Sequence, residues 1–294
     1  MTKTAHKAGF VNIIGKPNVG KSTLINLLLG ERLSIISPKA QTTRHRVLGI
    51  VNEPEFQLIY SDTPGILDPQ YALHENMMRY VASALEDADV LVYLFDINES
   101  YQYLPQLEQI KSFNVPLILV LNKIDLARGS QAEDKLKDWT EKIQPDQSVM
   151  ISALNTTNTS ELLNIILQYL PEHPPYFPKD ALTDKTERFF AAEIIREKIF
   201  LSYQQEVPYS TEVVIESFKE SEDIIRIRSE IFVERNSQKG ILIGKKGAAL
   251  KNVGVAARKD LEAFFQKQIH LELFVKVEEN WRKKQKQLNR FGYH

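Results

Sequence analysis

The sequence contains no cysteine among its 294 residues. A disulfide framework, a thiolate metal site and a cysteine nucleophile are therefore excluded, and we expect a reducing, cytoplasmic environment. The six histidines, at positions 6, 45, 74, 173, 270 and 294, lack the close spacing of zinc ligands. The composition thus favours neither a disulfide-stabilised secreted protein nor a zinc enzyme.

Long apolar runs are also missing. The longest, 89–97 and 116–121, are far shorter than the roughly 20 residues needed to span a bilayer, so we interpret them as buried strands. The N-terminus lacks the charged start and apolar core of a secretory signal. We therefore expect a protein that is neither exported nor inserted in a membrane.

The chain is 43% hydrophobic and 26% charged, which is typical of a globular protein, and its length favours two domains. The formal net charge is −1, but residues 235–294 hold 14 Lys and Arg against 5 Asp and Glu. Their local charge of +9 contrasts with −10 for the residues before them. The C-terminal part is therefore predicted to bind a polyanion, either nucleic acid or anionic lipid. The alternative is that these residues form a solvated basic surface.

Short apolar runs alternate with helical patterns up to about residue 170. This alternation predicts an α/β domain whose mostly parallel sheet is covered by helices on both faces. Its last helix is expected over 160–170, with Ser160 as the N-cap. The predicted strands are 10–14, 47–52, 56–61, 89–97, 116–121 and 148–152.

The stretch 171–180, PEHPPYFPKD, has four prolines in ten residues, too many for a helix or a central strand. We interpret 173–184 as a linker between a first domain, 1–172, and a second domain, 185–294. A helix is predicted over 187–203, followed by two strands, helices and a third strand. This order predicts a second, smaller α+β domain.

The segment GKPNVGKS matches the phosphate-binding pattern G-x-x-x-x-G-K-[ST] between an apolar strand and a helical pattern. Its glycines allow backbone N–H groups to face phosphate oxygens, while Lys21 would bridge the β- and γ-phosphates and Ser22 would coordinate Mg²⁺. The nucleotide-binding residues predicted here are Gly15, Lys16, Pro17, Asn18, Val19, Gly20, Lys21 and Ser22.

The motif D-T-P-G follows a predicted strand. Asp62 at the strand end would face the metal, and the N–H of Gly65 would reach the γ-phosphate. Ile66 stands where many GTPases carry a glutamine that orients the attacking water, so slow intrinsic hydrolysis is expected. The nucleotide-binding residues predicted in this segment are Asp62, Thr63, Pro64, Gly65 and Ile66.

The motif N-K-I-D predicts which base is bound. The Asp125 carboxylate would accept the two N–H donors of guanine N1 and N2, a pair that adenine lacks. Asn122 would brace the loops, the Lys123 stem would lie over the ring, and the N–H of Ala153 would reach guanine O6. GTP and GDP, not ATP, are therefore the predicted ligands. The base-site residues are Asn122, Lys123, Ile124, Asp125, Ser152, Ala153 and Leu154.

A polar segment, 39–44, lies between the phosphate motifs and is placed to close over the γ-phosphate and Mg²⁺ as a switch. One of its two threonines should ligate the metal, and we favour Thr43 over Thr42 by analogy with related GTPases. The predicted metal ligands are Ser22, Thr43 and Asp62. A second switch is expected over 66–78.

The run G-K-K-G lies between an apolar stretch and a helical pattern, the context of a KH-domain GXXG loop. Its lysines would face phosphates while an adjoining apolar groove holds unstacked bases. Alone the pattern is weak, but the strand order and the local charge favour it. The tail 281–284, WRKK, weakly resembles a membrane-surface segment. The predicted RNA-binding residues are Ile243, Gly244, Lys245, Lys246, Gly247, Lys251 and Arg258.

These motifs together resemble the Era family of GTPases, over about residues 8–290. The resemblance implies a P-loop GTPase domain followed by a KH-like (type II) domain that binds the 3′ end of small-subunit (16S) ribosomal RNA and assists 30S maturation. It also implies a peripheral fraction at the bacterial inner membrane. The loop 152–158 departs from the family by lacking the glycine usual after S-A, although the Ala153 contact is expected to survive. The segments that carry the resemblance are GKPNVGKS, KAQTTRHR, DTPG, NKID, EIIREK, PYS and LIGKKG.

The same resemblance makes Asn18 a candidate ligand for K⁺, which would supply positive charge where other systems use an arginine finger. The residues predicted to carry catalysis are Lys21, Thr43, Asp62, Gly65 and Asn18.

Three kinds of function are compatible with the sequence. The first is a GTPase timer whose hydrolysis releases RNA, and the second is a nucleotide-gated binding module in which turnover is incidental. The third is a GTP-gated adaptor or membrane-associated switch with no direct RNA role. We favour the timer and expect a monomer.

Overall fold

The computed structural model describes residues 6–37, 39, 41–101 and 114–293. The chain divides into two compact units, and each includes more than one segment. The first unit comprises Met1–Ser34, Thr43–Asp68 and Met77–Asp184. The second comprises Ile35–Thr42, Pro69–Asn76 and Lys185–His294.

A six-stranded sheet in the order β2-β3-β1-β4-β5-β6 forms the centre of the first unit. Strand β2 pairs antiparallel with β3, and the other neighbouring strands pair in parallel, which confirms the predicted mostly parallel α/β fold. The strands are β1 (Lys7–Ile14), β2 (Val47–Asn52), β3 (Phe56–Asp62), β4 (Val90–Asp96), β5 (Leu117–Asn122) and β6 (Gln147–Met150).

The parallel strands are buried on both faces. In β4, Val92 and Leu94 belong to one apolar cluster, while Tyr93 and Phe95 between them belong to another. Near-continuous apolar sequence in this strand follows from helices covering both sides of the sheet. The helices in this part of the chain are α1 (Lys21–Leu29), α2 (Ala72–Glu86), α3 (Gln131–Ile143) and α4 (Thr159–Tyr169).

The predicted Ser160 N-cap is wrong. Helix α4 begins at Thr159, and its N-cap is Asn158, which has a left-handed backbone (φ 56°) and makes no side-chain capping bond. A tight turn precedes the helix, because Ser152 and Thr157 exchange backbone hydrogen bonds. Asparagine tolerates the left-handed conformation better than most residues, so this turn determines where the helix starts.

The proline-rich stretch is ordered along the β2–β3 side of the first unit. The Ile50 N–H donates to the Leu182 carbonyl at 2.9 Å. The buried Gln57 side chain accepts from the N–H groups of Tyr176 and Phe177 at 2.8 and 3.0 Å, and donates to the Phe177 carbonyl at 2.9 Å. Proline cannot extend the sheet, so side-chain amides bind this segment instead.

The second unit contains a three-stranded sheet in the order β7-β8-β9, in which β7 pairs antiparallel and β9 pairs parallel with β8. Branched residues of these strands pack with the helices in one apolar core, as the period-two alternation predicts. Its elements are α5 (Glu187–Ser202), β7 (Glu212–Glu220), β8 (Ile224–Val233), α6 (Asn236–Ile243), α7 (Ala248–Phe265), β9 (Gln268–Val277) and α8 (Gln285–Arg290).

The C-terminal tail is part of this packing. Trp281 is 0% exposed, and its indole N–H donates to the Ser210 carbonyl at 2.9 Å. The Tyr293 hydroxyl donates to the Glu212 carboxylate at 2.7 Å. Trp281 is therefore not available to a membrane surface in this structure. Among the described residues, no helix is long and apolar enough to cross a membrane.

Replacing Trp281 with alanine is expected to destabilise the protein by about 3–5 kcal/mol, because a buried indole and its hydrogen bond are both lost. Thermal unfolding with and without the substitution measures the effect. Trp281→Phe keeps most of the apolar contact and should retain most of the stability. An unchanged melting temperature for Trp281→Ala would contradict the buried position.

Candidate nucleotide and RNA sites

The phosphate loop connects β1 to α1, and two of its glycines are required by close approaches. At Gly15 (φ 154°) a Cβ atom would lie 2.1 Å from the Leu94 carbonyl oxygen. At Gly20 (φ 104°) it would lie 2.4 Å from the Asn122 amide nitrogen. Any larger side chain would displace the backbone that must face a phosphate. The loop ends where α1 begins at Lys21, so the N-terminus of this helix points into the loop.

Lys21 is buried inside this loop. Its ammonium group donates to the carbonyls of Gly15 at 3.1 Å and of Lys16 at 2.9 Å. Burial lowers the pKa of Lys21 to about 8, against the opposing effect of the nearby Asp62 and Glu99 carboxylates. The ammonium group is thus held at the centre of the loop, where a bound anion would stabilise its charged form.

Nucleotide affinity is expected to weaken as the pH rises above about 8. Lys21 in the free protein then loses its proton, and phosphate binding, which raises its pKa, requires proton uptake. Affinity for GDP at pH 9 should be about tenfold below that at pH 7. Calorimetry in buffers of different ionisation enthalpy measures both quantities. Constant affinity and no proton uptake between pH 7 and 9 would contradict the assignment.

Three predicted metal ligands lie together. The Ser22 hydroxyl donates to Asp62 Oδ2 at 2.9 Å, the Thr43 hydroxyl donates to the same oxygen at 3.3 Å, and the two hydroxyls are 3.1 Å apart. Asp62 is buried, its Oδ1 has no hydrogen-bond partner among the described residues, and burial raises its pKa. A cluster of hard oxygen donors with a buried, under-satisfied carboxylate fits Mg²⁺.

Thr42 is engaged differently. Its hydroxyl donates to the Lys39 carbonyl at 2.7 Å, and its own carbonyl accepts from Arg196 at 2.6 Å. The geometry therefore supports Thr43 over Thr42 as a metal ligand, in line with the preference stated from the sequence. Ala40, in the same predicted switch, lies outside the described residues.

The D-T-P-G segment packs closely on the phosphate loop. Thr63 donates to the Ile13 carbonyl at 3.0 Å, and a Cβ atom at Gly65 would lie 2.6 Å from the Pro17 backbone nitrogen. Pro64 is buried beside them. The Ile66 N–H donates to the Gly15 carbonyl at 3.1 Å, while its side chain is buried in the apolar core. This side chain cannot orient a water molecule.

Asn122 connects the phosphate loop to the segment that follows β6. Its amide donates to the Val19 carbonyl at 2.9 Å and accepts from the Ala153 N–H at 3.0 Å. The Ala153 N–H thus already has a partner, and a guanine O6 contact would have to share or replace it. Ser152 donates to Asp125 Oδ1 at 2.5 Å.

Lys123 adopts a left-handed backbone conformation (φ 62°) that directs the chain into a short helical turn containing Ile124. Its ammonium group donates to the Asn18 carbonyl at 2.6 Å and to Asp96 at 2.7 Å. Leu154 is 77% exposed. Base-site and phosphate-loop residues are therefore connected by hydrogen bonds within the first unit.

The predicted RNA loop has the backbone that its glycines require. Gly244 has φ 69° and ψ −179°, a region open essentially to glycine, and a Cβ atom there would lie 2.5 Å from that of Ala249. Lys245 and Lys246 are exposed, whereas Ile243 packs against the apolar core. The two lysines are thus placed at the surface, where a phosphate can reach them.

A groove of about 450 Å³ begins at the second glycine of this loop. It brings together three predicted residues, Gly247, Lys251 and Arg258. An apolar groove beside the loop was expected, but the apolar residues that line it were not among the predicted site residues. Gly254 provided a signal, because a glycine inside a helix costs about 1 kcal/mol and often marks a close approach. A Cβ atom at this position would lie 3.4 Å from the Leu273 side chain, an ordinary van der Waals contact, so the groove wall passes directly beside the helix here. The lining residues that were missed are Leu250, Gly254, Val255, Leu271 and Leu273.

Both parts of the chain are similar to known proteins. Residues 10–123 match the family described as "50S ribosome-binding GTPase", and residues 206–282 match the "KH domain" family. Over 98% of its length, the chain is 46% identical to GTPase Era of Syntrophus aciditrophicus, 95% of which is covered. The chain belongs to the Era family of GTPases.

Two solved Era structures are similar to the chain over nearly its whole length. One is a crystal structure of Era in complex with MgGDPNP and nucleotides 1506–1542 of 16S ribosomal RNA, with TM-score 0.93, 44% identity and 98% and 99% of the two chains covered. The other is an Aquifex aeolicus Era variant bound to GDP and AlF₄⁻, with TM-score 0.93, 43% identity and the same coverage. The Era-family order of GTPase followed by KH domain is thus present here.

Proposed function

We propose that this protein is a GTP-hydrolysing switch that binds the 3′ end of small-subunit (16S) ribosomal RNA and assists assembly of the 30S subunit. The convergence of Ser22, Thr43 and Asp62 beside the phosphate loop is the observation that carries the GTPase assignment. Similarity to an Era protein whose crystal structure contains MgGDPNP and 16S ribosomal RNA supports the RNA assignment.

In this proposal the phosphate loop and Lys21 hold the β- and γ-phosphates of GTP, and Asp125 selects guanine. Ser22, Thr43 and Asp62 would hold Mg²⁺, which when bound neutralises charge on the phosphates. The Gly65 N–H is the donor for the γ-phosphate. Because Ile66 is buried and apolar, no side chain at that position orients the attacking water, and intrinsic hydrolysis is slow.

The first switch links the chemistry to the RNA-binding unit along the chain itself. Ile35–Thr42 groups with the second unit, where Arg196 donates to the Thr42 carbonyl and Lys39 donates to the carbonyls of Phe200 and Tyr203. Thr43, the next residue, belongs to the metal cluster of the first unit. We therefore expect a change at Thr43 on loss of the γ-phosphate to be transmitted along the chain to Thr42 and Lys39.

The proposed division of labour assigns nucleotide chemistry to residues 1–172 and RNA binding to residues 185–294, with 173–184 between them. In the second unit, Lys245, Lys246, Lys251 and Arg258 would neutralise phosphates at the mouth of the apolar groove. A cytoplasmic location with a peripheral membrane fraction is part of the same proposal; Trp281 is buried, so its indole ring would not take part in the membrane contact.

Asn18 gives the proposal a further test, because K⁺ bound there would supply charge to the transition state. Asn18 has a left-handed backbone (φ 65°) and its carbonyl accepts from Lys123. GTP turnover measured in K⁺ is then expected to exceed turnover in Na⁺ by about tenfold or more. Equal rates in the two salts would remove K⁺ from the mechanism.

The decisive test of the function is GTP hydrolysis with and without an RNA fragment from the 16S 3′ end. Stimulation by this fragment, and no turnover of ATP, is the expected result. Hydrolysis that does not respond to RNA, combined with RNA binding that does not depend on nucleotide, would favour the GTP-gated adaptor instead. A scrambled RNA of the same length is the control.

A further inference from the structure

The turn that follows β4, residues 96–99, approaches the phosphate loop from outside the nucleotide site. The Asp96 side chain accepts from the Asn98 N–H at 2.8 Å, and its carbonyl accepts from the Glu99 N–H at 3.0 Å. The Ile97 N–H donates to the Asn122 carbonyl at 3.2 Å. These bonds fix the backbone of the turn against the end of β5, and therefore fix the positions of its two carboxylates.

Both carboxylates contact cations that belong to nucleotide motifs. Glu99 Oε1 lies 3.2 Å from the Lys16 ammonium nitrogen, in the phosphate loop. Asp96 Oδ2 lies 2.7 Å from Lys123 Nζ, which also donates to the Asn18 carbonyl at 2.6 Å. The phosphate loop is thus held at two points: Glu99 contacts the Lys16 side chain, and Lys123 donates to the Asn18 carbonyl.

The environment of the Glu99 carboxylate is unusual. Its side chain is only 8% exposed, and neither oxygen has a well-aligned hydrogen-bond partner among the described residues. Burial raises its pKa, and the charge of Lys16 acts in the opposite direction. A buried carboxylate with so little hydrogen bonding is costly unless its cation stays in place, so Glu99 constrains where Lys16 can go.

We propose that Glu99 is a positioning residue for the GTPase reaction, acting through Lys16 to hold the phosphate loop in its nucleotide-binding conformation. Glu99 touches neither nucleotide nor metal in this assignment, which rests on the proposed function. Tight binding requires that the backbone N–H groups of the loop already face the positions of the phosphates. Without the Glu99 contact the loop is less well ordered in this conformation, so its affinity for the β-phosphate, which GDP and GTP share, falls.

Glu99→Gln is expected to raise the dissociation constants of GDP and GTP, and the KM for GTP, by about tenfold, as the loss of one charge-assisted contact predicts. The kcat should change less than twofold, because the loop is restored once nucleotide is bound. The matched control is Asp138→Asn, which removes an exposed ion pair with Lys142 and should leave all three constants unchanged.

The pairing is tested with Lys16→Met and with the double variant Lys16→Met/Glu99→Gln. If the two side chains act as one unit, the double variant binds GDP no more weakly than the weaker single variant. Lys16 is partly exposed, so Lys16→Met keeps the test usable if Glu99→Gln fails to fold. Fully additive losses, or affinity within twofold of wild type for Glu99→Gln, would overturn the inference. Failure of the wild-type protein to bind GTP would instead overturn the proposed function.

Discussion

Thr43→Val is expected to reduce GTP hydrolysis at saturating nucleotide by roughly 100-fold, because one of the three clustered oxygens that we propose as Mg²⁺ ligands is removed. The Thr43 hydroxyl lies 3.1 Å from that of Ser22 and 3.3 Å from Asp62 Oδ2. Valine has nearly the same shape, so the substitution removes the oxygen and little packing. Phosphate release at several Mg²⁺ concentrations measures the effect, and partial recovery at high Mg²⁺ is expected.

Thr42→Val is the matched control. Its hydroxyl donates to the Lys39 carbonyl, so its loss should change hydrolysis by no more than about threefold, the effect of one neutral hydrogen bond. The reverse order of effects, with Thr42→Val the more damaging variant, would show that the wrong threonine has been assigned to the metal.

Gly244→Asp is expected to weaken binding of the 16S 3′-end RNA by about 100-fold or more while GTP hydrolysis without RNA stays unchanged. An aspartate cannot adopt φ 69° and ψ −179° without strain, its Cβ atom would clash with Ala249, and its charge would repel phosphate. Fluorescence anisotropy with a labelled RNA fragment measures the loss. RNA affinity equal to that of wild type would place the RNA site elsewhere.

The double variant Lys245→Gln/Lys246→Gln tests the contribution of charge without straining the backbone of the loop, since both lysines are exposed. With two phosphate contacts fewer, the negative slope of log affinity against log salt concentration should become less steep by about 1.4 for a single strand. Lys137→Gln, an exposed lysine on α3, is the control and should not alter the slope. A slope unchanged in the double variant would mean that these lysines do not face the RNA backbone.

The nucleotide motifs could be predicted because each occupies a short stretch at the end of a strand. Parallel strands bring their carboxyl ends to one edge, so the sequence alone predicts that Asp62 and Asn122 lie near the phosphate loop. The choice between Thr42 and Thr43 needed the three-dimensional arrangement, because adjacent residues in an irregular segment can point either way. Their hydrogen bonds, not residue type, separate them.

Other features depend on contacts between distant segments. The Lys16–Glu99 pair follows from the register of β1 against β4, in which Ile14 aligns with Tyr93. Lys16 belongs to the phosphate-binding motif, but Glu99 belongs to no recognisable pattern, so the motif alone does not predict the pair. Similarly, the alternation of apolar residues in β9 is enough to place Leu271 and Leu273 on one face, but it does not show that this face lies beside Gly254. The prediction of Ser160 as the N-cap was wrong because the spacing of apolar residues in the helix carries no information about the turn that precedes it.

The measurement that tests the central claim most directly is RNA crosslinking and sequencing of the GTP-locked full-length protein in total cellular RNA, beside the Gly244→Asp variant. Enrichment of the 3′ end of the small-subunit RNA, lost in the variant, is the predicted result. Diffuse crosslinks, or crosslinks that survive Gly244→Asp, would contradict the RNA assignment and leave a GTPase whose C-terminal unit serves as an adaptor.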